Sequence, residues 1–199
     1  MGFTFYFCPN STLQLEEILA KKSEQLSSRW QETKKLIIDE FDARHKSAYP
    51  TFNMKISVHG EQGVRILSSL IPTHLSEDLD PLEIFLLMAG CYVHDIGFVS
   101  AHPPYTPIQH AQHWEYGETM MNTEKWLPFT DLERLVLGKL CRWHNYGKWL
   151  ENGGRKEESL KIGEVTIRLQ LLLELMQLFD FYHHVIDVTW KNFNLEKGN

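Results

Sequence analysis

Within the stretch CYVHDIGF, residues 91–98, an imidazole and a carboxylate stand side by side in an otherwise apolar run: His94 and Asp95. Burying two ionisable groups is costly unless they are paired, hydrogen-bonded or bound to a cation. Either these two satisfy neighbours inside a core, or they meet a metal ion there. Other segments supply groups of the same kind at positions where a core-facing residue is expected. Asp180 stands i+4 from Met176 and i+7 from Leu173, in phase with apolar positions. His144 continues the i, i+4, i+7 row begun by Leu137 and Cys141. His113 lies four residues before Gly117, with His110 one turn upstream, and His59 opens another segment. Imidazole and carboxylate together suit Mn, Fe, Co, Ni or Zn, and further carboxylate or water brings in Mg.

The elements that must position these groups read as helices. Ser11 is expected to open a long amphipathic helix over 13–44, with Leu15, Ile18, Leu19, Leu26, Trp30, Ile37 and Phe41 as its apolar stripe. After the connector SAYPTFN a second helix is expected from about 58 to 71, stopped by Pro72. Asp80-Pro81-Leu82-Glu83 carries an N-cap, a proline at the first helical position and the glutamate of a capping box. The helix it opens, 81–97, is apolar nearly all round, as a fully buried helix is. HPPYTP, 102–107, reads as a loop, and 110–127 as a helix. Thr130 and Glu133 repeat the capping box ahead of 132–147. Residues 151–159 form a solvated loop, 168–185 a strongly apolar helix, and 188–199 a strand or irregular tail. Neither a hairpin nor a βαβ alternation nor an internal repeat is evident. The expected class is all-α, a bundle of six or seven helices with a long N-terminal helix.

The chain has 199 residues, 43% of them hydrophobic and 23% charged, the composition of a globular domain. A net charge of −6 argues against broad nucleic-acid binding, which rests on neutralising phosphates. Lys34, Lys35, Arg155 and Lys156 read as a solvated face or loop rather than a basic patch. No apolar run approaches a membrane span, and MGFTFYFCP lacks the basic start of a signal peptide. Three scattered cysteines suggest neither disulfides nor a CxxC site, so the expected compartment is the cytoplasm.

The order His59, His94-Asp95, Asp180 along an all-α chain resembles the HD-domain superfamily of metal-dependent phosphohydrolases. FLLMAGCYVHDIGF is similar to that family's buried helix, and LLLELMQLFDFYHH to its closing helix. HWEYGETMM and LCRWHNYG resemble the segments that bring further histidines to members binding two metals. The resemblance implies residues 1–50 as a helical extension packed on an HD-like domain at 51–199. It implies one or two divalent ions, with His59, His94, Asp95 and Asp180 holding one and Asp95 bridging to a second held by His113 and His144. Asp95 is thereby given the catalytic role. The implied substrate is a phosphorylated small molecule, a nucleotide in the first place, attacked by a metal-activated water. Nucleic acid is a weaker expectation, a membrane is not expected, and homo-oligomers or further domains of a longer chain stay open. Two matters are undecided. Gly63 competes with His59 for the first ligand slot, and a degraded site that only binds a nucleotide or partner is the alternative to a working hydrolase. His183 and His184 are expected at a helix end or surface.

Overall fold

A computed structural model of the protein describes residues 14–48, 56–100, 112–123, 125, 127–154 and 156–196. The expected N-terminal helix is two helices, α1 (Gln14–Lys22) and α2 (Glu24–Ala48). The break falls at Ser23, whose N–H still donates to Leu19 at 2.8 Å while its Oγ accepts from the Leu26 N–H at 3.2 Å. One residue thus ends the first helix and caps the second, the competition with the backbone that makes serine a helix-boundary residue. The Ser11 start lies outside the described residues. Then come α3 (Ile56–Leu70), α4 (Thr73–Asp78), α5 (Pro81–Val93), α6 (Gly97–Ser100), α7 (His113–Thr123), α8 (Asp131–Trp143) and α9 (Tyr146–Glu151). The hairpin β1 (Leu160–Ile162) with β2 (Val165–Ile167) precedes α10 (Leu169–Glu196). The loop at 102–107, His110 and Arg155 are outside the described residues.

The class is all-α. Its axis is α5, buried on every side from Leu82 to Val93, with α2, α3, α8 and α10 packed round it. Trp30 of α2 meets Phe85 and Tyr92 of α5 edge-on, ring centroids 6.2 and 5.6 Å apart. Leu15, Leu19, Ile37 and Phe41 join the same core, so α1 and α2 are part of it. Lys34, read as a solvated face, pairs with Glu16 at 3.2 Å.

Both expected capping boxes form, at Asp80/Glu83 and at Thr130/Glu133. Each N3 glutamate is buried, and each meets an arginine from elsewhere: Glu83 and Arg168 at 2.6 Å, Glu133 and Arg29 at 2.6 Å. Burial pushes both carboxyls up, but the guanidinium and the capped N–H groups outweigh it and hold their pKa values below the ordinary range.

Three local expectations are corrected. Residues 160–167 form an antiparallel hairpin with Ile162 opposite Val165. Its two-residue loop begins with Gly163 at φ 60, the position a type II′ turn reserves for glycine. The strands are three residues each, too short for alternation to register in a sequence pattern. The tail read as strand or irregular is helical to Glu196, continuing α10. The helix expected over 81–97 ends at Val93.

Candidate metal centre

That early end decides where the chemistry sits. His94 is the C-cap of α5, and Asp95 lies in the turn that leads into α6. Gly97 makes the turn feasible: a Cβ there would stand 1.7 Å from the carbonyl oxygen of His113. The turn therefore lies against the start of α7, the element that brings His113. His144 is the C-cap of α8, and His59 lies one turn inside α3.

His94 Nδ1 is 3.0 Å from the Cys91 carbonyl, and His144 Nδ1 is 2.8 Å from the Cys141 carbonyl. A carbonyl can only accept, so Nδ1 of each neutral ring carries the proton and Nε2 offers its lone pair. This is how metal-binding imidazoles are commonly oriented. The Nε2 atoms converge with Asp95. His59 Nε2 and His94 Nε2 are 3.2 Å apart, and each is 3.3 Å from Asp95 Oδ2. On the other side His113 Nε2 and His144 Nε2 are 3.3 Å apart, at 3.2 and 3.8 Å from Asp95 Oδ1. Each set could hold an ion. A tetrahedral ion with ligands at about 2.0 Å has ligand–ligand edges of about 3.3 Å. The first triangle has that size on all three sides and the second on two, so the donor set fits a divalent ion, and the two carboxylate oxygens are divided between the triangles.

The protonation states of Asp95 and His144 suit metal binding, whereas that of His94 favours a proton over an ion at Nε2. Burial would raise the Asp95 carboxyl, but His94, His113 and His59 around it hold it well below the ordinary carboxylate range. Burial opposes charge on His94, yet Asp95, with Asp180 behind it, prevails and raises its pKa. Burial lowers His144 to about 4, despite Asp180 and Asp95, and leaves it neutral at pH 7. Burial keeps both cysteine thiols, Cys91 and Cys141, protonated, and Cys141 Sγ donates to the Val93 carbonyl at 3.2 Å.

Five of the six sequence candidates thus meet at one point. The sixth, Asp180 on α10, is buried beside them, 4% exposed, with Asn145 Nδ2 donating to its Oδ2 at 3.4 Å. It completes neither triangle. Packing turns the two residues that compete for the first slot in different directions. A Cβ on Gly63 would lie 3.0 Å from Phe179 and 3.1 Å from the Cys91 Cβ, so that position faces the joint between α5 and α10 while His59 faces Asp95.

Two residues escaped the sequence reading. His183, expected at a surface or helix end, packs edge-on against His59 at 4.4 Å between centroids. It stands one turn after Asp180, and that spacing was the available signal. The His184 side chain is outside what is described. Asn145 was passed over because an amide beside a histidine carries no metal signature. Phe98 stacks flat on His113 at 4.2 Å and 12°. Arg142 covers Trp114 at 4.2 Å and Trp143 at 4.9 Å, tying α7 to α8 next to His113 and His144.

No family model, curated protein or solved structure matches this chain. Among the described residues no helix is long and apolar enough to cross a membrane.

Proposed function

We propose that the protein is a metal-dependent phosphohydrolase of HD-domain type acting on a phosphorylated small molecule, a nucleotide first among them. The observation that carries the reading is the division of Asp95 between two histidine pairs, Oδ2 toward His59 and His94 and Oδ1 toward His113 and His144. Bound between these groups, divalent ions supply an acidified water and polarise a phosphoryl oxygen. The chain's own part is to hold that centre rigid. Asp95, ionised, links the two halves. His94 and His144 present Nε2 because the Cys91 and Cys141 carbonyls hold their other nitrogen. Asp180, oriented by Asn145, adds negative charge beside the cations. A net charge of −6 supports a small substrate over a nucleic acid.

The test is to load purified protein with Mn or Co, quantify the metal, and screen nucleoside mono- and triphosphates, cyclic dinucleotides and a chromogenic phosphoester. Turnover that disappears in Asp95→Asn is expected. A fully loaded protein that hydrolyses none of them would reject the hydrolase. If a nucleotide then raised the melting temperature and survived unchanged, the protein would be a binding module.

A further inference from the structure

The two halves of the candidate centre share more than their histidines. Residues 80–97 and 130–147 align without a gap. Leu82, Glu83, Leu87, Cys91, His94 and Gly97 recur as Leu132, Glu133, Leu137, Cys141, His144 and Gly147. Upstream of each lies the pattern His-x-Glu-x-Gly, His59 to Gly63 and His113 to Gly117. No internal repeat was evident from the sequence, because the matches are sparse and the linkers between the paired segments differ in length.

The contacts repeat as the residues do. Each of α5 and α8 has thirteen residues, begins in a capping box and ends in a histidine C-cap. Each N3 glutamate meets a distant arginine at 2.6 Å. Each C-cap Nδ1 faces the carbonyl of the cysteine three residues before it. The histidine Nε2 pairs stand 3.2 Å apart in one half and 3.3 Å in the other. A Cβ on Gly63 would meet the Cys91 Cβ at 3.1 Å, and one on Gly117 would meet the Cys141 Cβ at 3.1 Å. Each long helix also turns into a short one, α6 or α9. Two unrelated metal half-sites would share histidines; they would not share the glycine–cysteine contact and the arginine-anchored cap at the opposite end of the helix.

One position breaks the correspondence at the centre itself: Asp95 has Asn145 as its counterpart. Asn145 Oδ1 accepts from the Lys148 N–H at 3.1 Å and caps α9, which turns Nδ2 toward Asp180. We infer that the centre is one helix-pair unit used twice, α3 with α5 and α7 with α8, and that Asn145 makes the halves unequal. By withholding a carboxylate at the place where the other half has Asp95, it leaves His113 and His144 as the weaker half-site, filled second. The looser triangle on that side, 3.8 Å on one edge, accords with this. The inference rests on the metal reading proposed above and concerns the order of occupancy, which that reading leaves open.

The test is calorimetric titration with Mn alone, followed by metal counting. The wild type is expected to bind two ions in two steps. His59→Ala should remove the tighter step and His113→Ala the weaker, with His→Asn at the same positions if an alanine variant does not fold. Asn145→Asp keeps the α9 cap, since aspartate caps as well as asparagine. It should tighten the weaker step about 10–100-fold, the range that changes around a metal site produce. Asn145→Ser keeps a capping oxygen without a carboxylate and should not tighten it. The inference is overturned if Asn145→Asp leaves the weaker step unchanged or weakens it, or if His59→Ala and His113→Ala each abolish both steps. A wild type that binds no ion overturns the metal reading itself, whereas two ions without the asymmetry overturn only the role given to Asn145.

Discussion

Asp95 is the residue both triangles share, so its charge should matter more than its shape. Asp95→Asn keeps the volume and removes the charge that His94, His113 and His59 stabilise. Affinity for Mn is expected to fall on the order of 100-fold or more at both steps, read by calorimetry. Loss of one step alone would mean that the carboxylate serves a single ion. Gly97 is constrained sterically rather than chemically. Its would-be Cβ lies 1.7 Å from backbone, which cannot swing aside as a side chain can. Gly97→Ala is expected to cost about 3 kcal/mol in urea denaturation. A change within about 0.5 kcal/mol, the usual size for a neutral surface site, would show that the turn can open there.

At the scale of elements, the two long helices that carry His94 and His144 are fixed at their far ends by arginines. Arg29→Met would leave the buried Glu133 carboxylate without its guanidinium. A loss of about 2 kcal/mol at pH 7 is expected, discounted from the figure for a fully buried pair because Arg29 is 31% exposed. The pH dependence has a defined sign. The folded-state pKa of Glu133 lies below its ordinary 4.5. The unfolded chain therefore binds more protons in that window, and the pair's contribution, complete above about pH 5, is lost as pH falls through the folded value. Denaturation curves for wild type and Arg29→Met should converge as pH falls through that folded value. A difference that stays constant with pH would assign the effect to lost packing of the arginine.

For the molecule as a whole, the centre joins α3, the α5–α6 turn, α7 and α8, and the N-terminal helices share the core behind it. A bound ion that recognises only the folded arrangement stabilises it by mass action. At a free concentration 100 times Kd this is about 2.7 kcal/mol, a rise of about 5–10 °C in melting temperature for a chain of this size. Scanning calorimetry before and after chelation reads it, and identical midpoints would mean that no ion bridges these helices. Trp30 tests the other side of α5. Removing its fully buried ring from between Phe85 and Tyr92 is expected to cost about 3–5 kcal/mol. Unfolding should remain a single transition; a separate early transition would make α1 and α2 an independent unit.

Reading the residues alone was enough for the all-α class, the two capping boxes, the buried character of 81–93 and the pairing of His94 with Asp95. These features are written in neighbouring positions, where periodicity and cap chemistry act over a few residues. Local pattern misled where a boundary depended on more than propensity: Ser23 divides a continuous amphipathic stretch, and Gly163 turns a segment too short to look like strands. Which imidazoles converge was decided by tertiary structure. His59 rather than Gly63 reaches Asp95 because α3 turns the Gly63 position toward Cys91 and Phe179, where an added Cβ would be crowded. The same long-range packing brought His183 against His59 and set Asn145 beside Asp180. No window of the chain contains both members of any of these contacts, so only the fold could bring them together.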